Sequence, residues 1–289
     1  MKTAHPKPAA RRALLFGQGV HWENWSRKCS NQVCRTSPLK AVFGGKGLQI
    51  FDDWFCGPEC VEHALASQFA DLCRSLRPAE TRRAARVPLG LMLFSRGYLS
   101  EEQFKAALEA HRNCGGRVGD IALQLGFVSE EQVAAALAGQ WNYPVYSFKN
   151  APLQLPAIAP LHLMALHQML PIQFIEDTGR LLVGFATRVE HAVIYAMEKI
   201  LGCPTAPCFI TASDFRSRMQ ALESQRSADE LVLEQTSSAR EMASIVCHHA
   251  LHNEASEIRF AICREYLWAR TLGPQQPFDL LFKLETSQP

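Results

Sequence analysis

The stretch that decides the fold is a pentapeptide that occurs twice. Leu99-Ser100-Glu101-Glu102-Gln103 returns 29 residues later as Val128-Ser129-Glu130-Glu131-Gln132. The residues on either side of the pentapeptide match at the same displacement. Self-similarity at a fixed period indicates a duplicated supersecondary unit, so we expect two copies of one structure in the middle of the chain.

Each copy predicts a helix, a glycine turn and a second, capped helix. Gly97 and Gly126 correspond across the copies and suit the left-handed residue that follows a helix. Ser100 and Ser129 each precede a glutamine by three positions, which is the pattern of a capping box. Apolar residues one helical turn apart then form a stripe that faces a core: Phe104, Ala107, Leu108, Val133, Ala136 and Leu137. The pattern therefore predicts two helical hairpins packed as a small bundle.

The spacing within the copies resembles the MshEN domains, found at the N-terminus of type II secretion and type IV pilus assembly ATPases. That family carries a tandem motif that begins with Arg-Leu-Gly and ends with Gln. The second copy here aligns with the motif at Arg117, Val118, Gly119, Ala122, Gly126, Val133, Leu137 and Gln140. The first copy aligns at Pro88, Leu89, Gly90, Leu93, Gly97, Phe104, Leu108 and His111, and five residues separate the two. Downstream, 141–145 and a hairpin through 180–186 continue the resemblance.

The resemblance implies that the tandem repeats bind cyclic di-GMP. The implied nucleotide site consists of Arg117, Val118, Gly119, Gln140, Leu89, Gly90, Leu93, Leu108, His111 and Leu137. In such a site a glycine lets the backbone approach the ligand, and a leucine packs on a guanine face. An arginine donates a fork of hydrogen bonds to guanine or phosphate.

Departures from the motif leave two outcomes open. Pro88 stands where the first arginine belongs and has no donor, and His111 replaces the first glutamine. Losing a hydrogen-bonded charge contact costs about 2 kcal/mol, roughly thirtyfold in affinity, unless Arg86 or Arg112 takes its place. The repeats either bind cyclic di-GMP with altered contacts or keep the fold without the ligand.

Four of the ten cysteines form two close pairs upstream of the repeats. Cys29 and Cys34 are separated by four residues, and Cys56 and Cys60 by three. In a reducing compartment such pairs indicate a metal before a disulfide. Four thiolates suit tetrahedral structural zinc, with buried free thiols as the alternative. His21 and His63 are substitute ligands of low priority.

The residues around these pairs predict the local structure. Residues 41–43 and 48–51, with glycines between them, predict a β-hairpin, and Pro58 suits the first turn of a helix. A loop pair, a hairpin and a pair at a helix start follow the order of treble-clef zinc fingers, which this segment resembles.

Composition limits the classes of function. The chain has 289 residues, 47% hydrophobic and 20% charged, which predicts two or three modest folded domains. A net charge of +2 does not favour bulk binding to nucleic acid or membranes. Apolar runs fall short of the roughly 20 residues that span a bilayer, so we expect a cytoplasmic protein. We find no nucleophile–base set, no open metal site and no phosphate-binding loop, and therefore expect no enzyme.

The chain as a whole predicts an α+β fold in seven segments. They are a flexible N-terminus (1–20), a zinc-binding module with four cysteine ligands (21–76), a linker (77–86), tandem MshEN-like repeats (87–141), an α/β subdomain (142–222), a linker (223–238) and a short helix–strand tail (239–289). The tail is predicted to be a helix followed by two strands. The tail carries Ala255-Ser256-Glu257-Ile258-Arg259, which resembles the start of the domain before the ATPase core of secretion ATPases. The chain thus resembles the regulatory front of such an ATPase without its motor.

These features favour a non-enzymatic regulator or adaptor of a type II secretion or type IV pilus-like system. Its expected partners are cyclic di-GMP and proteins of a secretion or pilus assembly. One alternative is a structural protein-interaction module that has lost ligand binding, which Pro88 and His111 favour. The other is a nucleic-acid-associated zinc protein, although nucleic acid is the less favoured partner.

Overall fold

The computed structural model describes residues 28–34, 47–75, 86–148, 158–225, 229–235 and 238–284. These residues have the mixed α+β architecture that the sequence predicts, and they divide into two compact units. Unit 1 contains the described residues up to 75, residues Tyr195–Gly202 and the described residues from 229 onward. Unit 2 contains the described residues from 86 to Ile194 and from Cys203 to 225.

The elements are named in chain order. The first ten are β1 (Leu48–Ile50), β2 (Asp53–Phe55), α1 (Pro58–Ser75), α2 (Leu89–Ser95), α3 (Glu101–Cys114), α4 (Val118–Gln124), α5 (Glu130–Trp141), α6 (Leu161–His167), β3 (Met169–Ile175) and β4 (Arg180–Phe185). They are followed by α7 (His191–Leu201), β5 (Thr205–Phe209), α8 (Ala212–Gln225), β6 (Glu230–Leu233), α9 (Ala239–His252), β7 (Glu257–Cys263), β8 (Tyr266–Leu272) and β9 (Phe278–Lys283).

The tandem repeats of unit 2 fold as two matched helical hairpins, which confirms the pattern read from the sequence. α2 and α3 form repeat 1, and α4 and α5 form repeat 2. Gly97 and Gly126 follow the first helix of each repeat at φ +70° and +69°, a conformation that glycine adopts without strain. Ser100 and Ser129 both form the full capping box with the glutamine three residues on. The repeats share a small core built on Leu93, Leu99, Ala122, Val128 and Ala136.

The remainder of unit 2 is built around a three-stranded sheet in the order β3-β4-β5. β3 and β4 form an antiparallel hairpin, and this confirms the hairpin predicted through 180–186. β5 lies parallel to β4, with Phe185 opposite Phe209. Because parallel strands end at the same edge, the residues after β4 and after β5 lie side by side there. This part of unit 2 corresponds to the α/β subdomain predicted over 142–222, and from here on the name covers residues 158–225 apart from Tyr195–Gly202.

Unit 1 is built around a six-stranded sheet in the order β2-β1-β7-β8-β9-β6. β1 pairs antiparallel with β2 and parallel with β7, so residues from before and after unit 2 share one sheet. α1 and α9 pack together against this sheet. The core they enclose includes Leu65, Phe69, Val246, Phe260 and Leu280.

Unit 1 departs from the sequence prediction in three respects. The pattern predicts 21–76 and 239–289 as separate segments, whereas the structure joins them through β1 and β7. The pattern predicts a linker over 223–238, whereas Glu230–Leu233 forms β6 and pairs parallel with β9. The pattern also predicts two strands in the tail, and the structure has three. Pairing between strands far apart in sequence leaves no local periodicity to detect, and a four-residue edge strand leaves very little.

The hairpin beside the cysteines also differs from the prediction. The structure pairs Leu48–Ile50 with Asp53–Phe55, through a turn in which Phe51 has a φ of +52°. The strand predicted at 41–43 lies outside the described residues.

A buried ion pair joins the middle of β8 to β9. Arg270 donates to both carboxylate oxygens of Asp279, each over 2.7 Å, and both residues are 3% exposed. The Trp268 indole N–H donates to the same carboxylate over 2.7 Å. The carboxylate thus has donors from two side chains in a place that excludes water.

Candidate functional site

The first candidate is a group of four cysteines in unit 1. Cys56 directly follows β2, and Cys60 lies in the first turn of α1. Cys29 and Cys34 lie in the loop 28–34, which is fastened to β2 by Ser30. The Ser30 N–H donates to the Trp54 carbonyl over 2.8 Å, and its hydroxyl donates to the Asp53 carboxylate over 3.1 Å.

The four sulfurs converge on one point, as the sequence predicts. All four Sγ atoms lie within 4.8 Å of one another, with 3.5 Å between Cys34 and Cys56 and 3.9 Å between Cys56 and Cys60. In a tetrahedral zinc site with Zn–S bonds of about 2.3 Å, the sulfurs stand about 3.8 Å apart. The cluster therefore has the dimensions to hold a metal ion. Within the described ranges, no other group of three or more His, Cys, Asp or Glu side chains converges in this way.

The chemistry of this cluster favours a closed site. Burial raises the pKa of the Cys60 thiol to about 12; a hydrogen bond with Asn31 opposes that rise, and the other three cysteines add to it. A bound cation reverses this preference, since a coordinated thiol loses its proton. Four soft sulfur donors with no oxygen or water position are typical of structural metal sites and not of catalytic ones. His63 is exposed and outside the cluster, and His21 lies outside the described residues.

The second candidate is the junction of the two repeats in unit 2, where α2 and α4 meet at their glycines. A Cβ atom added at Gly119 would stand 2.7 Å from Leu89 Cδ2. A Cβ atom added at Gly90 would stand 3.0 Å from Val118 Cγ1. The residue before each glycine thus covers the glycine of the other repeat, which gives the junction a pseudo-twofold symmetry. Both glycines are needed for the close approach of the two helices.

Arg117 is the charged residue that this junction presents to solvent. It lies at the N-cap of α4, its side chain is 60% exposed, and its Nε–H donates to the Asp120 carboxylate over 2.7 Å. The corresponding residue of repeat 1, Pro88, offers no donor. An exposed guanidinium of this kind can bind a carboxylate or phosphate through two parallel hydrogen bonds.

The neighbouring polar groups already have partners inside unit 2. The Gln140 side-chain amide donates to the Val87 carbonyl over 2.5 Å and so ties the end of α5 to the start of α2. The Arg86 guanidinium lies 3.2 Å from the centroid of the Trp141 ring, in a cation–π contact. The side chain of Arg86, one of the two arginines that could substitute for the missing first arginine, thus packs on Trp141.

The other residues of the implied nucleotide site differ in how far their side chains are exposed to solvent. Leu93 and Leu137 are 0% and 8% exposed and belong to the buried apolar residues. Leu89, Leu108 and Val118 are partly exposed, and His111 is exposed at the end of α3. Most of the motif is thus accounted for by packing, and Arg117 is left as its accessible charge.

A cavity of about 450 Å³ lies between repeat 2 and the α/β subdomain, within unit 2. Its walls are Arg117, Asp120, Leu123, Gln124, Glu130, Val133 and Ala134 from repeat 2, and Gln168, Ala186, Thr187, Ile210, Ala212 and Arg216 from the α/β subdomain. The cavity lies beyond the carboxyl ends of β4 and β5. In open α/β sheets this edge is the usual place for ligands.

Glu130 closes one side of this cavity. Its carboxylate accepts a hydrogen bond from the Ser213 N–H over 2.6 Å and one from the Arg216 guanidinium over 2.9 Å. Burial alone would raise the pKa of Glu130, but the bonds from Ser213 and the charge of Arg216 lower it below the ordinary value. The sequence indicates Glu130 only as part of the capping pentapeptide, and nothing in it links that residue to Arg216, which lies 86 positions away.

Comparison with known proteins gives matches only among solved structures. No protein-family model and no curated protein matches the chain. A structure of MshE with cdg is 25% identical, with a TM-score of 0.37, and the match covers 47% of this chain and 99% of that one. Two crystal forms of the N-terminal domain of XpsE are 20% and 21% identical, with TM-scores of 0.37 and 0.29. They cover 50% of this chain and 96% and 97% of their own.

None of the described helices is both long enough and apolar enough to cross a bilayer.

Over about half of its length the chain is similar to MshE and to XpsE N-terminal domains, which is the family resemblance that the tandem motif predicts.

Proposed function

We propose that this chain is a non-enzymatic, cytoplasmic regulator or adaptor of a type II secretion or type IV pilus-like system. Its tandem repeats bind cyclic di-GMP, and its four clustered cysteines hold a structural zinc ion. The observation that carries the nucleotide proposal is the position of Arg117, exposed at the edge of a pseudo-twofold junction between two repeats. Cyclic di-GMP is itself a twofold molecule with two phosphates and two guanines.

The two halves of the junction would contribute unequally to binding. Repeat 2 supplies Arg117, whose present partner, Asp120, is an exposed carboxylate with side-chain exposure of 47%. A phosphate can replace that carboxylate at the guanidinium, because exposed ion pairs are worth only about 0–1 kcal/mol. Repeat 1 supplies Pro88 and Leu91 at the corresponding positions, so one half of the ligand would rest on apolar surface.

Calorimetric titration of cyclic di-GMP into the zinc-loaded chain tests this proposal. We expect micromolar binding that Arg117→Ala weakens by about tenfold or more, because a charge-assisted bidentate contact is lost. Arg188→Ala is the matched control: Arg188 is also in unit 2, is also paired with a nearby carboxylate and is 58% exposed. The absence of heat from folded protein, or equal affinity in both variants, would rule out the nucleotide proposal.

Metal analysis tests the zinc proposal separately. We expect one zinc per purified chain, and about one equivalent less in Cys60→Ser. Cys73→Ser is the control, because Cys73 lies on the same helix but outside the cluster. Full zinc content in Cys60→Ser, or no zinc in the wild type after expression in zinc-supplemented medium, would contradict it.

A protein-interaction module without a ligand is the second candidate, and one observation favours it. Gly90, Gly119 and Gln140 all have packing or hydrogen-bonding roles inside unit 2. The fold alone can therefore maintain these motif positions. The same titration decides between the two candidates.

A further inference from the structure

The two repeats have equivalent faces, and that of repeat 2 lines a cavity together with the α/β subdomain. That face carries Arg117, Asp120, Leu123, Glu130 and Val133 on the wall of the cavity. A shift of 29 residues takes these positions to a set on repeat 1 that we call the repeat-1 face: Pro88, Leu91, Phe94, Glu101 and Phe104. Leu91 and Phe94 keep 45% and 40% of their surface exposed.

The repeat-1 face is more apolar than the equivalent face of repeat 2, which the α/β subdomain covers only in part, at Glu130. A proline and a leucine stand in place of Arg117 and Asp120, and phenylalanines stand in place of Leu123 and Val133. The rings of Phe94 and Phe104 stack with centroids 5.4 Å apart and planes 19° apart. Aromatic side chains clustered on a surface with charged neighbours are typical of interaction sites.

The contact at Glu130 shows what kind of element the face of repeat 2 binds. Glu130 accepts from the Ser213 N–H in the first turn of α8 and from Arg216 one turn further on. Ala186 and Ile210 bring apolar surface to the same place. The repeat thus receives a helix N-terminus with an arginine in its early turns, beside apolar residues.

Repeat 1 retains the acidic residue for such a contact. Glu101 occupies the position of Glu130 and is paired with Lys105 on its own helix, with side-chain exposures of 65% and 72%. An exposed pair of this kind is worth little, so Glu101 can exchange Lys105 for a better-placed donor at small cost. Glu102 adds a second negative charge beside it, which complements the positive end of an incoming helix.

We propose that the repeat-1 face is a docking site for the helix N-terminus of a partner protein. That helix carries a basic residue in its early turns, and apolar side chains beside it cover Leu91 and Phe94. Glu101 accepts from the free N–H groups and from the basic side chain of the partner, as Glu130 does for α8. The proposal does not require nucleotide binding, but Pro88 and Leu91 belong to both proposed sites, so a bound nucleotide and the partner helix would compete for them.

The internal equivalent of the partner supplies a defined probe. A fluorescein-labelled peptide of residues 209–225, which contains α8, is titrated with the full zinc-loaded chain and followed by fluorescence anisotropy. We expect saturable binding that Phe94→Ser and Glu101→Gln each weaken by about fivefold or more. A peptide with Arg216→Glu should bind correspondingly less well.

Matched variants test whether the peptide binds at the repeat-1 face and not elsewhere on the chain. Leu125→Ser removes an apolar side chain that is 47% exposed and lies outside the repeat-1 face. Glu109→Gln removes an exposed carboxylate of α3. Both variants should bind the peptide as the wild type does. Zinc content and circular dichroism check that Phe94→Ser is folded. Three results would overturn the proposal: no binding at millimolar chain, binding lost in Glu130→Gln but not in Glu101→Gln, or Phe94-dependent self-association in sedimentation. The second would place the peptide on repeat 2, and the third would make a second copy of the chain the occupant.

Discussion

Glu130 begins α5, and its carboxylate joins repeat 2 to the first turn of α8. The pKa of this carboxyl is lowered from 4.5 by Ser213 and Arg216, against the opposing effect of burial. A carboxyl whose pKa is lower in the folded state stabilises the fold above its unfolded pKa, and that stability is lost as the pH falls through the folded pKa.

We therefore expect Glu130→Gln to lower the thermal midpoint at neutral pH and to flatten its decline below about pH 4.5. The loss at neutral pH should be about 1 kcal/mol at most, because the pair is partly exposed to solvent. Thermal melts across a pH series measure both effects, with Glu101→Gln as the control on the exposed equivalent. Parallel pH profiles for wild type and Glu130→Gln would contradict the assignment.

Asp279 is the residue whose removal should cost the most in unit 1. Asp279→Ala leaves the Arg270 guanidinium charged, buried and without its bidentate partner, which typically costs about 3–5 kcal/mol. Urea denaturation of the full chain measures this loss. Asp120→Ala, which breaks the exposed pair with Arg117, should cost less than about 1 kcal/mol. Equal losses in the two variants would show that burial of the Arg270 pair has no consequence.

Which residues a site uses could be predicted only in part. Four cysteines in two close pairs stand out in the sequence, because such pairs in a reducing compartment indicate a metal before a disulfide. The sequence does not show that Arg117 is exposed and that Leu93 is buried, because both residues are simply positions of the same motif. Arg216 could not be found either, because its contact with Glu130 depends on how α8 packs.

At the scale of elements, the capped hairpins are the part that local sequence specifies most fully. A serine and a glutamine three positions on satisfy the start of α3 and of α5, and the glycine before each serine follows α2 or α4, all without any distant contact. The sequence therefore predicts these helices correctly. It does not predict the pairing of β1 with β7 or of β6 with β9, because each requires a partner strand that is remote along the chain.

The cap of α5 gives a test at this scale. Ser129→Ala should cost about 1 kcal/mol, because the Gln132 N–H loses its acceptor at the helix start. A drop of roughly 2–4 °C in the thermal midpoint corresponds to that loss in a chain of this size. Ser95→Ala, which removes an exposed hydroxyl from the end of α2, should leave the midpoint nearly unchanged. Equal shifts in the two variants would argue against the capping box as a stabilising contact.

At the scale of the whole molecule, the cysteine cluster and the six-stranded sheet belong to one core. Cys60 is buried in the cluster of apolar residues that also contains Phe260 and Leu280, and β1 bridges the hairpin beside the cysteines to β7. Any loss of order at the cysteine cluster should therefore spread into strands that lie far away in sequence.

Metal removal tests this connection. With zinc bound as proposed, treatment with a chelator should raise amide hydrogen exchange in β1, β2 and β7, while β3, β4 and β5 keep their protection. Hydrogen exchange with mass spectrometry resolves these peptides, and Cys60→Ser should reproduce the pattern without chelator. An increase confined to residues 28–34 would show that the site and the sheet are energetically separate.

The parallel pairing of Ile50 with Ile258 also sets an order of events during synthesis. About two hundred residues separate the two strands, so at roughly 5–20 residues per second β1 leaves the ribosome about 10–40 s before its neighbour exists. All of unit 2 is translated in that interval and has the time to fold on its own. The β1–β2 hairpin meanwhile has an open strand edge. With the metal bound as proposed, its early capture by the four cysteines would help to keep the hairpin folded until β7 arrives.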